Sequence, residues 1–413
     1  MAYTLYLYPW NLISGNRDQT ASALSSLGFH GINLAVSCQA EKFIHPCGNT
    51  QRVDCAEEGA VYFKPRLHYG RIKPRVSRLL EQCDVTASLA GRTDLTLNAW
   101  VVLFHNTQLG MDYPDATVKN AFGDSYVYSL CPSHPDVQQY GITLCKDIAQ
   151  HYSVAQLLLE TPGFLTYNRG FHHEPCQVAP NPWLDTWLGL CFCEHCISGA
   201  KRAGIDARSL QRYAADEIDK FLRTDSTPDV EMASAWLQAD LVTNADLAAF
   251  VNWRCQLVTT LVGRIREAVD PATRIKIIAT TQKPHATAIW EGHDLAALNK
   301  AADGLELPLF QSTTEASVAD AVDVIRRVGG VDSLGAILRP GWPDMHSESG
   351  VSDTISCLRD LGFDDIAFYN YGLLPPVNPR GLQAAIAGQP CNHSEEASEE
   401  ALIANRLLLQ CTV

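Results

Sequence analysis

The chain has 413 residues, of which 46% are apolar and 19% charged, with a formal net charge of −14. Such a composition supports a globular core. A surface this negative repels phosphate backbones, so nucleic-acid binding is not expected and neutral or cationic small ligands fit better. No run of about 20 apolar residues occurs, so no membrane partner is expected either.

The first residues, "MAYTLYLYPWNL", carry no basic segment and no small-residue cleavage site, so no signal peptide is expected. Fourteen cysteines in that context point to free thiols in a reducing, cytoplasmic compartment. Short apolar runs then recur along the chain. Strands are expected at Tyr3–Trp10, Gly31–Ser37, Asp94–Asn106, Val154–Pro162, Arg274–Gln282, Gly304–Gln311, Ser333–Trp342 and Asp365–Gly372. Each is nearly continuously apolar, as a strand buried on both faces should be. Helical periodicity fills the gaps, as in a segment from near Asn16 to "LGFHG", in "ASVADAVDVIRRVGG" and in "SDTISCLRDLGFDD". Eight alternating units predict an α/β fold, a (β/α)8 TIM barrel. A doubly wound open sheet is the alternative, weakened because no glycine-rich phosphate loop follows the first strand.

Two connections are long. One spans Cys38 to Gly70, and the other is a helical insertion after the fourth strand, at about 163–271. Loops after barrel strands build the active face, so both are expected to shape the site. The barrel domain is expected over 1–388, followed by a polar linker and short helix over 389–413. Within the second connection, "WLGLCFCEHC" places Cys191, Cys193 and Cys196 at a spacing that lets three thiolates converge on one tetrahedral ion. Cys131 in "SLCPSHPDV" is the first candidate for a fourth ligand, ahead of His195, Cys145 and Cys176. Three unrelated thiols near a helix start are the alternative. A four-sulfur site would be closed to water, hence structural.

Glu160 ends the fourth strand in "LLLETPGF". Aliphatic neighbours solvate a carboxylate poorly and raise its pKa, which suits a general acid. The succession "LCPSHPDVQQY", Glu160, "LCFCEHC" resembles glycoside hydrolase family 42, the β-galactosidases, within the broad clan A of barrel hydrolases. The likeness covers roughly Leu130 to Cys196. It implies a structural zinc held by Cys131, Cys191, Cys193 and Cys196, and an acid/base glutamate at Glu160. Members usually have Asn before that glutamate, where this chain has Leu159. The clan also places a nucleophilic Glu at the end of the seventh strand, where this chain reads "LRPGWPDMHSE". Asp344 is the nearest carboxylate there, and Glu291 after the fifth strand is a second candidate. Glu306 lies too early in its strand for the active face.

Sugar rings stack on flat apolar surfaces, so Trp10, Trp290, Trp342 and Tyr369 are candidate substrate contacts, with Trp100 mid-strand more typical of core. Arg339 and Asn370 are candidate partners for hydroxyls or a carboxylate, and His105 and the run His172, His173, Glu174 for hydroxyls. His68 and Tyr69 are expected either to reach over from the long second loop or to lie in a plain surface hairpin. The expected function is a glycoside hydrolase acting on a small saccharide or glycoside. The alternatives are a non-catalytic carbohydrate-binding barrel, or a metal-dependent hydrolase or isomerase using the His172–Glu174 run. Similar barrel enzymes often associate, so a homo-oligomer is compatible with this reading.

Overall fold

The computed structural model describes residues 2–13, 17–46, 52–170, 177–224, 226–345, 347–374 and 386. The expected C-terminal linker and helix therefore lie outside the described residues. Eight parallel strands form the centre: β1 (Ala2–Leu7), β2 (Gly31–Cys38), β3 (Thr96–Val102), β4 (Gln156–Glu160), β5 (Arg274–Ile278), β6 (Leu305–Pro308), β7 (Leu334–Leu338) and β8 (Asp365–Phe368). Each pairs with the next, and β1 pairs with both β8 and β2. The sheet is thus closed, and the open doubly wound alternative is excluded. Closure satisfies the backbone donors and acceptors that an open sheet would leave at its edges.

The strands sit where the apolar runs predict, most of them shorter, although β1 starts one residue earlier at Ala2 and β2 runs one further to Cys38. β1 stops at Leu7 and not at Trp10, because Pro9 cannot donate to a strand ladder. Trp10 instead opens a short helix, Trp10–Ile13.

Side-chain alternation explains why the runs are continuous. Leu5, Leu7, Leu157 and Leu159 belong to the large core between strands and helices. Their strand neighbours Tyr6, Tyr8 and Leu158 join Trp100, Ile278 and Ile337 in a second, interior cluster. Period two then carries Glu160 to the same side as Leu158, into the barrel mouth.

The opposite end of the interior is polar. Asn98 donates to Asn33 at 2.8 Å and Asn33 to Thr4 at 3.0 Å. Lys276 reaches Glu306 at 3.0 Å and Asp365 at 2.6 Å. Glu306 is therefore a buried ion-pair partner, and Gly335 makes room for it: a Cβ there would lie 2.6 Å from its carboxylate oxygen.

Between β4 and β5 lie helices Pro182–Gly189, Glu194–Arg202, Ala207–Leu222, Val230–Thr243 and Ala245–Ala268. Four begin at a side-chain cap, from Asn181, Asp206, Asp229 and Asn244. Such caps satisfy N–H groups that the first turn leaves unpaired. None of the described helices is long and apolar enough to cross a membrane.

Candidate active site

The C-terminal ends of the strands surround a cavity of about 440 Å³. In ring order it is lined by Tyr6 from β1, Gln39 and Glu41 just after β2, Trp100 from β3, and Glu160 from β4 with Asn168 and Arg169 from its loop. Ile278, Thr281, Gln282 and Lys283 follow from the β5 end, then Pro308 and Phe310, Ile337 and Arg339, and Tyr369.

Glu160 is 7% exposed and accepts a hydrogen bond from Trp100 Nε1 at 2.8 Å. Trp100 is thus an interior residue that also orients the carboxylate. Burial raises the Glu160 pKa, against the lowering effects of Arg169 and the Trp100 bond, with Glu291 adding a smaller upward push. The next residue, Thr161, has φ 52, in the left-handed region. A β-branched residue held there costs on the order of 1–3 kcal/mol, a kind of strain that clusters at functional sites.

The second carboxylate on the cavity is Glu41, which the sequence reading missed. It accepts from Tyr8 Oη at 2.5 Å and from Gln39 Nε2 at 2.6 Å, and the Tyr8 hydroxyl lies 2.8 Å from that of Tyr369. Burial pushes its carboxyl up to about 7, with Tyr8 pulling down and Glu160 pushing up. Glu41 sits immediately before a hairpin of Lys42–Ile44 with Val53–Cys55. Phe43 of that hairpin stacks on Tyr8 at 5.2 Å and on Trp10 at 5.4 Å, which fixes the loop. The only signal in the sequence was its place, three residues beyond a strand end in a long connection.

Two expected carboxylates go elsewhere. Asp344 is 1% exposed and does not line the cavity. It is held by Arg339 Nε at 2.5 Å and Lys283 Nζ at 3.1 Å, because a buried aspartate must be paired. Glu291 also lies off the cavity, and accepts from Thr280 Oγ1 at 2.7 Å. Burial pushes its carboxyl up to about 7. An unfolded glutamate titrates near 4.3, so the folded chain binds this proton more tightly. The associated stability is present below about pH 4 and is lost as pH rises through 7, on the order of 3 kcal/mol. We expect Glu291→Gln to flatten the decline in urea midpoint between pH 5 and 8 while turnover persists. Loss of turnover in a folded variant would return Glu291 to the catalytic set.

Among the other expected contacts, Arg339 and Tyr369 line the cavity. Trp10 stacks on Tyr8 at 4.5 Å, one layer behind the wall. Trp342 is 84% exposed and off the cavity, since the chain turns outward at Gly341–Pro343. Trp290 is half-buried against the outer core, and Asn370 is fully buried, its side chain accepting from Gly372 N. His105 bridges to Ser129 and is not a lining residue. Tyr69 points away, donating to Asp147 at 3.0 Å, and His68 is exposed. His172, His173, Glu174 and Cys176 lie outside the described residues.

The four expected cysteines do come together. Cys131, Cys191, Cys193 and Cys196 are all buried, with sulfurs within 4.8 Å of one another. The separations from Cys131 are 3.7 Å to Cys191, 3.6 Å to Cys193 and 3.5 Å to Cys196. A tetrahedral ion with metal–sulfur bonds of about 2.3 Å needs edges of about 3.8 Å, so the set fits. Cys131 follows the hairpin Thr117–Lys119 with Ser125–Leu130, and Cys193 precedes helix Glu194–Arg202. Nearby Arg254 is 1% exposed, and its Nε and Nη2 find no hydrogen-bond partner among the described residues. Burial lowers its pKa, against an upward pull from Cys196, Cys191, Cys255 and Cys131. A buried guanidinium calls for negative charge close by, which a metal-bound tetrathiolate would supply. His195 meets His134 edge-to-face, while Cys145 is buried outside the cluster.

Fold and cavity together define a (β/α)8 barrel whose solved neighbours are glycoside hydrolases. One is the glycoside hydrolase domain of PgaB (BpsB) from Bordetella bronchiseptica, at TM-score 0.57 and 14% identity, over 94% of this chain and 99% of that one. Another is α-L-fucosidase isoenzyme 2 from Paenibacillus thiaminolyticus, at TM-score 0.53 and 13% identity, over 94% of this chain and 49% of that one. At such identities the likeness is one of fold. No protein-family profile and no curated protein sequence matches the chain. The likeness to family 42 rests on the sequence from Leu130 to Cys196, and none of these comparisons bears it out.

Proposed function

We propose that this chain is a glycoside hydrolase that cleaves a small saccharide or glycoside in the barrel-mouth cavity. The observation that carries the proposal is a pair of carboxylates, Glu160 and Glu41, on one cavity with the interior aromatics Tyr6, Trp100, Phe310 and Tyr369. Hydrolysis of a glycosidic bond needs one carboxyl to protonate the leaving oxygen and a second to act as base or nucleophile. Mutual repulsion and burial make it costly to ionise both, so one of the pair keeps a proton near neutral pH. Glu160 is given the acid role in this proposal for its place at the end of β4, and Glu41, which accepts two hydrogen bonds, that of base or nucleophile. Burial raises both carboxyls, Glu41 to about 7, so the leaving-group dependence of the two glutamine variants decides which one donates the proton.

The cysteine cluster would hold a structural zinc, with no part in bond cleavage. It would tie the hairpin before Cys131 to the connection that follows Glu160.

A panel of aryl glycosides in both anomeric configurations tests the reading. Wild type is expected to turn over at least one of them, and Glu41→Gln to lose about 100-fold or more in kcat. A carbohydrate-binding barrel without turnover is the second reading, favoured by Arg339 standing at the end of β7. Sugar binding in calorimetry with no turnover across the panel would select it.

A further inference from the structure

The cavity carries cations as well as carboxylates. Glu41 and Glu160 come from the β2 and β4 ends, and Arg169 lies beside them on the β4 loop. Lys283 and Arg339 come from the β5 and β7 ends, β5 pairing directly with β4 and β7 standing two strands further round the ring. Two cations there face a single protein carboxylate, Asp344, which both contact. Among the described residues the two cations share that one carboxylate, in a chain whose net charge is −14.

Arg339 is also held in a receptor-like pose. Asp344 takes its Nε, and the guanidinium lies over the Phe310 ring at 4.5 Å. Its two terminal nitrogens hydrogen-bond no described residue. A guanidinium fixed at Nε and by stacking presents the rest of its planar fork to a ligand, and that fork matches a carboxylate in bidentate geometry.

We propose that the substrate is an anionic sugar, a glycoside whose ring bears a carboxylate, as in a uronic acid, and that Arg339 with Lys283 receives that carboxylate. The proposal rests on the glycosidase reading of the same cavity. Asp344, which holds both cations, is then a positioning residue.

Aryl glycosides that share anomer, ring configuration and leaving group, and differ only at C6, test it. The arms are hydroxymethyl, carboxylate, sulfate ester and phosphate ester. The carboxylate arm is expected to exceed the hydroxymethyl arm by about 100-fold in kcat/KM, the range of a charge-assisted hydrogen-bonded contact. Arg339→Gln is expected to bring that ratio close to one, and Lys283→Gln, at a more exposed position, to lower it about 10-fold. If Arg339→Gln does not fold, the Lys283→Gln ratio decides.

A hydroxymethyl arm equal to or better than the carboxylate overturns the proposal and leaves the glycosidase reading standing. A sulfate or phosphate arm that wins overturns the carboxylate assignment. If no arm turns over, calorimetry with free uronates and matching neutral sugars separates the two ideas. Uronate binding that Lys283→Gln weakens keeps the anion site and removes the glycosidase reading. Equal binding of both sugars overturns the anion site.

Discussion

Glu160→Gln is expected to lower kcat by about 10²- to 10⁴-fold on glycosides with poor leaving groups, with folding intact. The size follows from its assigned task. An alkoxide is too basic to depart unprotonated, so the transition state needs a proton at the glycosidic oxygen. Glutamine keeps the shape of the side chain and can still accept the Trp100 N–H. It supplies no acidic proton.

The loss should shrink as the leaving group improves, because a dinitrophenolate departs without help. The pH profile carries a second signature. Burial raises the Glu160 pKa, and an acid works only while protonated. Wild-type activity should therefore fall on the alkaline side as pH passes through that pKa, and the variant should lose this limb. A loss that is the same for every leaving group would remove Glu160 from the acid role. If Glu41→Gln shows the leaving-group dependence instead, the two carboxylates exchange parts.

The second large effect is on stability. Purified protein is expected to contain about one zinc per chain, and Cys193→Ser or Cys196→Ser to lose it. Structural tetrathiolate sites contribute directly to folding, with apparent metal-binding free energies on the order of 10 kcal/mol or more at neutral pH in small domains. In this barrel the loss should appear as a marked drop in Tm. It should also appear as faster proteolysis within the connection that follows β4. Without a cation, burial keeps the Cys131 and Cys196 thiols protonated. Zinc uptake by the apoprotein should therefore release protons, measurable in a weakly buffered titration. Metal analysis showing no zinc, together with an unchanged Tm in both serine variants, would reduce the cluster to packed thiols. Iron in its place would show as visible absorbance.

The eight strands were legible because a strand buried on both faces leaves a continuous apolar run, and eight such runs alternated with helical periodicity. The cysteine cluster was legible for a related reason. A Cys-x-Cys-x-x-Cys spacing brings three sulfurs together within one local segment, so only Cys131 had to be supplied from a distance. Glu160 was visible because it ends an aliphatic strand, a local feature, and the structure adds that alternation carries it to the same side as Leu158.

Its partner was not visible in that way. Glu41 lies in an irregular connection, where no period says which way a side chain points. Its place on the cavity depends on Tyr8, Gln39 and a hairpin that carries Phe43 against Tyr8 and Trp10. Asp344 shows the converse: correctly near a strand end, it is drawn behind the wall by Arg339 and Lys283. The strand count and the cysteine spacing are properties of adjacent residues, so the sequence by itself determined the barrel and the thiol set. Closure of the ring brings residues more than a hundred positions apart onto one cavity. Only the tertiary structure could therefore decide which carboxylates share it, and that a chain of net charge −14 brings Arg169, Lys283 and Arg339 to the same cavity.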